Sequence, residues 1–346
     1  MNSPVRIHGG TDANGPARFD FSTNSNACGP CPMALAAVQV ADAGRYPDSS
    51  YTHLRRALAD FHGVQPWRIV LAASASEFIF RITAWSYRQG CRTVWLPRQA
   101  YGDYAHAANA WGLERCDAVD AAQLVWTCEP SSPLGQAHSE WPVALLHGLA
   151  GARPTLVLDC AYAPLRLGGQ LRLNAAQQDA VWRLVSPNKA LALTGVRAAY
   201  AIAPADAPLD AQQLDAMAPS WPVGAHGAAM LLAWTLAPVQ EWLVHCLPTL
   251  AGWKAHLVRL LQDRGWDCLH SDSAFFCAKP PASVDLPALL AFLRTHGIQL
   301  RDATSLGMPG YVRLSAQPPD AQAALAAALD TAVAQPKDTQ LKEKAT

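Results

Sequence analysis

Charge is what this sequence has least of. Only 16% of its 346 residues are charged, and 27 basic residues balance 27 acidic ones. Without a basic excess there is no footprint for nucleic acid, and without an acidic tract there is none for a basic partner. Long apolar runs are missing too. The most apolar stretch, AAMLLAWTLAPV, is too short to span a bilayer and contains Pro238. The opening MNSPVRIHGG lacks the apolar core of a signal peptide. The expectation is a cytoplasmic protein with neither a membrane nor a nucleic acid as partner.

Cysteine is present but poorly organised. Nine cysteines are scattered along the chain. NACGPCP holds Cys28-Gly29-Pro30-Cys31, the spacing of a thioredoxin dithiol, but no second CxxC completes a four-cysteine site. No metal is expected. No strand runs into the motif; Gly29 and Pro30 read as turn residues, and Pro32 as a helix start. A thiol–disulfide module through Cys28 and Cys31 is the lesser reading.

Short, non-alternating apolar runs alternate with helix-like stretches: RIVLAAS, SEFIFRITAWSYRQG, TVWLP, YGDYAHAANAWG, LVWTCEP, WPVALLHGLAGA, TLVLDCAY, VWRLVS, AAYAIAP. Strands buried on both faces and joined by helices give an α/β fold with a mostly parallel sheet. MALAAVQVADAG reads as one helix. Ala/Leu-rich helical sequence runs to about Gly265, interrupted at Pro219, Pro222, Pro238 and Pro248. The remainder reads as a small α+β domain. The expected boundaries are 1–45 for an N-terminal arm joined to the small domain, 46–240 for a large domain, 241–335 for the small domain and 336–346 for a disordered tail.

The segment VSPNKALALTGVRAAYA carries the chemistry. Lys189 follows a strand, Ser186 precedes it and Arg197 follows it. A Schiff-base lysine needs a rigid, partly desolvated place, and a hydroxyl beside a guanidinium suits a phosphate. Together with HGG…DFSTNSNACGP, AASASEF, RQAYGDY, LVLDCAY and YVRLSA, this segment resembles fold-type I pyridoxal-phosphate (PLP) aminotransferases. The similarity runs from His8 to about residue 316. It is nearest to the histidinol-phosphate aminotransferase group and, through the HGG opening, to its threonine-phosphate decarboxylase branch.

The resemblance implies the cofactor PLP, a homodimer with shared active sites, and these roles. Lys189 forms the Schiff base, Asp159 pairs with the pyridine nitrogen and Tyr162 donates to the ring oxygen. Ser74, Ala75, Ser76, Ser186 and Arg197 hold the cofactor phosphate, with Tyr46 reaching the neighbouring subunit's. The helix is expected to begin near Glu77. Tyr101 stacks on the ring. Arg313 grips the substrate carboxylate, and Arg301, His8 and Asn24 receive a substrate phosphate. Ser132 stands where the family has a ring-contacting asparagine, a departure that leaves either a water or weaker cofactor binding. The expected reaction is decarboxylation of L-threonine O-3-phosphate to (R)-1-amino-2-propanol phosphate in cobalamin synthesis. The alternative is an aminotransferase acting on histidinol phosphate or a related phosphorylated amino compound.

Overall fold

The computed structural model describes residues 8–137 and 154–334. The run WPVALLHGLAGA and the polar tail lie outside the described residues. Strand β1 (Phe19–Asp20) precedes helices α1 (Pro32–Gln39) and α2 (Thr52–His62). Then follow β2 (Ile69–Ala72), α3 (Ala75–Arg88), β3 (Thr93–Trp95), α4 (Gly102–Ala110), β4 (Glu114–Arg115) and β5 (Leu124–Cys128). Next come β6 (Thr155–Asp159), the single turn α5 (Ala175–Gln178), β7 (Trp182–Val185) and β8 (Ala199–Ile202). Helices α6 (Pro208–Ala216), α7 (Ala225–Trp234) and α8 (Ala237–Gln262) lead to the last group. That group is β9 (Asp267–Cys268), β10 (Phe275–Lys279), α9 (Leu286–Thr295), β11 (Ile298–Gln299), β12 (Arg301–Asp302), β13 (Val312–Ser315) and α10 (Pro319–Ala334).

The main sheet has the order β2-β8-β7-β6-β5-β3-β4. Only β8 runs against its neighbours; the other strands share one direction. Strands such as β5 (LVWTC) are buried at every position because helices cover both faces. A four-stranded antiparallel sheet, β12-β13-β10-β9, forms the second layer. Leu257, Leu261, Phe276, Leu293, Val312 and Leu325 close a separate core over it. Leu300 divides the segment IQLRDA in two: β12 joins the antiparallel sheet, while β11 pairs in parallel with β1. The N-terminal segment is thereby fastened to the C-terminal elements. No helix among the described residues is long and apolar enough to cross a membrane.

Two expected elements differ. The helix read across MALAAVQVADAG ends at Gln39, because beyond the buried Ala34 and Val38 nothing in that stretch faces the core strongly. Asp42 instead accepts from the Gly44 N–H at 2.9 Å, a turn that competes with helix. Pro248 does not interrupt α8, which continues through it. Pro248 lies on the exposed face, and the carbonyl deprived of its donor belongs to Val244, itself 62% exposed, so water can satisfy it.

Candidate active site

The carboxyl ends of the parallel strands converge at one edge, where open α/β sheets place ligands. Ser74, Ala75 and Ser76 follow β2, Tyr101 follows β3, Ser132 follows β5, Asp159 ends β6, and Ser186 and Lys189 follow β7. Arg197 precedes the reversed strand β8 and so reaches the same edge. These residues and Tyr162 line one cavity of about 400 Å³. His8, Asn24, Arg301 and Arg313 line it as well. Tyr46 does not: it is 78% exposed and stacks on Trp221, with ring centroids 4.4 Å apart.

One end of the cavity is made for an anion. Helix α3 begins at Ala75, not near Glu77, because Ser74 caps it: its hydroxyl accepts from the Glu77 N–H at 3.0 Å. The N–H groups of the first turn have no intrahelical acceptor and carry the positive end of the helix dipole. Arg197 is exposed toward the same space. Its backbone is packed under α7 at Gly227, where a Cβ would lie 2.9 Å from the Arg197 carbonyl oxygen. The Ser186 hydroxyl is buried there without a partner.

The middle holds the acid and the amine. Tyr104 donates its hydroxyl hydrogen to Asp159 Oδ2 at 2.6 Å, and the Ala161 N–H donates to Oδ1 at 2.8 Å. Burial pushes the Asp159 carboxyl up; those two hydrogen bonds and the Lys189 charge oppose it. The Lys189 ammonium lies 5.5 Å from the centroid of the Tyr162 ring. Its turn is braced: Leu191 donates to Pro187, Leu193 to Asn188, and Asn26 to the Lys189 carbonyl, all at 2.8–2.9 Å. The Asn26 amide also donates to the Ala190 carbonyl at 3.0 Å.

The far side carries two buried arginines in register on neighbouring strands, Arg301 opposite Arg313. Burial, joined by the nearby Arg313 charge, lowers the Arg301 pKa. Arg313 donates to the Ser22 carbonyl at 3.0 Å and to the Ser132 hydroxyl at 3.3 Å. Ser132 is therefore engaged by an arginine. Arg301 donates to the Ser305 hydroxyl at 2.7 Å. His8 is exposed, its ring 6.1 Å from that of Tyr101, and Tyr101 shares a 3.2 Å hydrogen bond with Ser76.

Tyr104, Asn188 and Asn26 escaped the reading of the sequence. The signal for Tyr104 was present: it stands three residues after Tyr101, on the same face of a helix. Cys31 is buried at the entrance to α1, and burial beside Cys246 pushes the Cys28 thiol up to about 12, opposite to an activated dithiol. Among the described residues no cluster of His, Cys, Asp and Glu could hold a metal.

The cavity fits PLP. Buried polar atoms without partners gather on its wall in Asn24, Ser186, Asn188 and Arg313. Each would cost about 1–3 kcal/mol in an apolar setting, so the wall suits a polar occupant. A buried carboxylate, a lysine and an anion-receiving helix end match a ring nitrogen, an aldehyde and a phosphate.

The comparisons agree. The family model for aminotransferase class I and II matches residues 113–329. The histidinol-phosphate aminotransferase of Jannaschia sp. is 25% identical over 91% of each chain. That of Thermobifida fusca is 29% identical over 90% of this chain and 89% of its own. The histidinol-phosphate aminotransferase of Sinorhizobium meliloti in complex with pyridoxal-5'-phosphate superposes with a TM-score of 0.73, at 24% identity, covering 90% of this chain and 89% of that one. L-threonine-O-3-phosphate decarboxylase of Porphyromonas gingivalis superposes with a TM-score of 0.77, at 20% identity, covering 91% and 99%. Matched by the family model over more than half of its length and superposing on these structures over about nine-tenths of it, the chain belongs to the class I and II aminotransferases, PLP-dependent enzymes of fold type I.

Proposed function

We propose that the protein transfers the amino group of a small phosphorylated amino compound of the histidinol-phosphate type. The sequence relatives named above, both histidinol-phosphate aminotransferases, favour this reaction over the decarboxylation expected from the HGG opening. The observation that carries the substrate class is the buried Arg301–Arg313 pair, set in the same cavity as Lys189. Two guanidinium-bearing side chains on one cavity wall suit the anionic groups of such a substrate.

Bound PLP supplies an electron sink for charge developing at the substrate Cα. Asp159 holds a negative charge at the ring nitrogen. Ser74, Ala75, Ser76, Ser186 and Arg197 hold the cofactor phosphate, and Tyr101 covers the ring face. Tyr162 donates to the ring oxygen. Lys189 would anchor the cofactor and would move the proton at the substrate Cα. Arg313 orients a substrate carboxylate, with Ser132 fixing its guanidinium. Arg301, His8 and Asn24 receive the substrate phosphate, so that remote binding orients the reacting bond. Tyr46 serves the cofactor phosphate of a second subunit in a homodimer, to be checked by solution mass and by mixing Tyr46→Phe with Lys189→Ala protein.

A second reading, decarboxylation of L-threonine O-3-phosphate, is favoured by the seat of the HGG opening. A Cβ on Gly9 would lie 2.2 Å from the Ser22 carbonyl oxygen, and the Gly10 N–H donates to the Ser22 hydroxyl at 2.8 Å. Those glycines bring His8 to the cavity. One experiment separates the reactions. Turnover of histidinol phosphate with 2-oxoglutarate supports transamination; CO₂ from phosphothreonine without a keto acid supports decarboxylation. Inertness of the PLP-loaded protein toward both sinks both.

A further inference from the structure

We infer that Tyr104 is a positioning residue: its hydroxyl fixes Asp159 toward the cofactor nitrogen and holds it ionised. The inference rests on the assignment of Asp159 made above.

One helical turn organises the arrangement. Tyr101 stands at the N-terminus of α4, and Tyr104 lies one turn further on the same face. Their rings meet edge to face, with centroids 5.8 Å apart. Tyr101 and the deeply buried Tyr104 both line the cavity. The Tyr104 ring lies flat on Trp126 of β5, with centroids 4.6 Å apart and planes 13° from parallel. This stacking leaves the phenol little freedom, and its hydroxyl ends 2.6 Å from Asp159 Oδ2. The same turn thus sets both the ring-facing aromatic and the partner of the acid.

The chemistry requires such a partner. A carboxylate buried in apolar surroundings tends to take up a proton, and a protonated Asp159 would have no charge to offer the ring nitrogen. Its neighbours are Tyr104 from α4, Cys128 from β5, Cys160 and Tyr162 on the segment leaving β6, and Lys189 from the turn after β7. Burial raises both the Cys128 and Cys160 thiols, so neither adds charge of its own. The Ala161 N–H occupies Oδ1, which leaves the phenol as the side-chain donor on Oδ2. A hydrogen bond donated to the ionised carboxylate favours the ionised form. Burial raises the Tyr104 hydroxyl far above its ordinary value, so it remains the donor across the working range.

The test uses Tyr104→Phe, which keeps the ring and its stacking and removes only the oxygen. Asp159→Asn and the double variant complete a cycle. Three readouts are taken: the dissociation constant for PLP by equilibrium dialysis, the acid limb of kcat/KM, and the thermal midpoint. Tyr104→Phe is expected to weaken PLP about tenfold or more, in line with the loss of a charge-assisted hydrogen bond. Losing a bond to the ionised form raises the pKa of Asp159, so the acid limb moves to higher pH. In the Asp159→Asn background the same change should add little to either readout. An unchanged PLP dissociation constant and acid limb in Tyr104→Phe overturns the inference. So does an effect of equal size with and without the Asp159 carboxylate, which marks a merely structural tyrosine. If Asp159→Asn itself leaves PLP binding and turnover intact, the Asp159 assignment falls and this inference with it. If Asp159→Asn is severe while Tyr104→Phe is silent, this inference alone fails.

Discussion

Arg301 and Arg313 face each other across β12 and β13, both buried, both on the cavity wall. Cross-strand pairs of like charge are destabilising unless a counter-charge joins them. Under the proposed function, an anionic substrate group brings charge of the opposite sign to this wall. Arg313→Gln should raise KM for the phosphorylated substrate by about ten- to a hundredfold, the cost of losing a charge-assisted pair, with a smaller effect on kcat. Steady-state kinetics checks it; an unchanged KM would remove Arg313 from the substrate site.

Lys189 is the second target. Its side chain is the amine that anchors the cofactor under the proposed mechanism, and the braced turn around it fixes its place. Lys189→Ala should abolish the Schiff-base absorbance above about 400 nm of the PLP-loaded protein and the adduct trapped by borohydride, while leaving the thermal midpoint close to wild type. Retention of the adduct would place the attachment elsewhere.

Much of this layout was legible in the sequence, for identifiable reasons. The lysine turn carries a local signal in Ser186, Lys189 and Arg197, and the resemblance to a known family supplied the other residues from Ser74 to Tyr162 in order. Each of the named site residues except Tyr46 lines the one cavity. The tertiary consequences were not legible. A serine in place of an asparagine reads as a deficit, and only the folded chain brings Arg313 of a distant strand onto Ser132. The spacing from Tyr101 puts Tyr104 on the same helix face, but its meeting with Asp159 depends on the adjacency of α4, β5 and β6. Pro248 reads as a helix break because propensity does not know which face of α8 meets water.

The Ser132 hydroxyl accepts from Arg313 and lies buried beside the cavity. Ser132→Ala should raise KM about two- to tenfold, the worth of one ordinary hydrogen bond, through a less well-fixed guanidinium. PLP affinity should change less than KM. A larger loss of PLP affinity than of substrate affinity would give Ser132 to the cofactor instead.

Cys28 and Cys31 test the dithiol reading. Cys31 is completely buried, and Cys28 sits beside Cys246 with its thiol held in the protonated form at neutral pH. Cys28→Ala with Cys31→Ala should leave kcat and kcat/KM within twofold of wild type, with or without dithiothreitol. The double variant should lose about 1–2 kcal/mol of stability from lost packing. A tenfold fall in turnover, reversed by neither substrate nor cofactor excess, would return these thiols to the mechanism.

Acid stability turns on His62. Its Nε2 lies 2.8 Å from the Tyr200 hydroxyl, which also accepts from the Trp234 indole at 3.1 Å. Burial, together with the nearby Arg183, lowers the His62 pKa from its ordinary 6.5 to about 4. The folded protein therefore keeps this imidazole neutral between those values, while the unfolded chain protonates it. The unfolded state binds more protons across that window, so stability rises with pH there and is lost as pH falls from 6.5 toward 4. At pH 5 the cost to the folded state is about 2 kcal/mol relative to pH 7. His62→Gln cannot take up the proton, so its stability should fall less between pH 7 and pH 5 than that of the wild type. Urea unfolding of both proteins at the two pH values measures the difference. Equal losses would mean that the imidazole titrates alike in the folded and unfolded chains, and that the Tyr200–Trp234 surroundings do not exclude its charge.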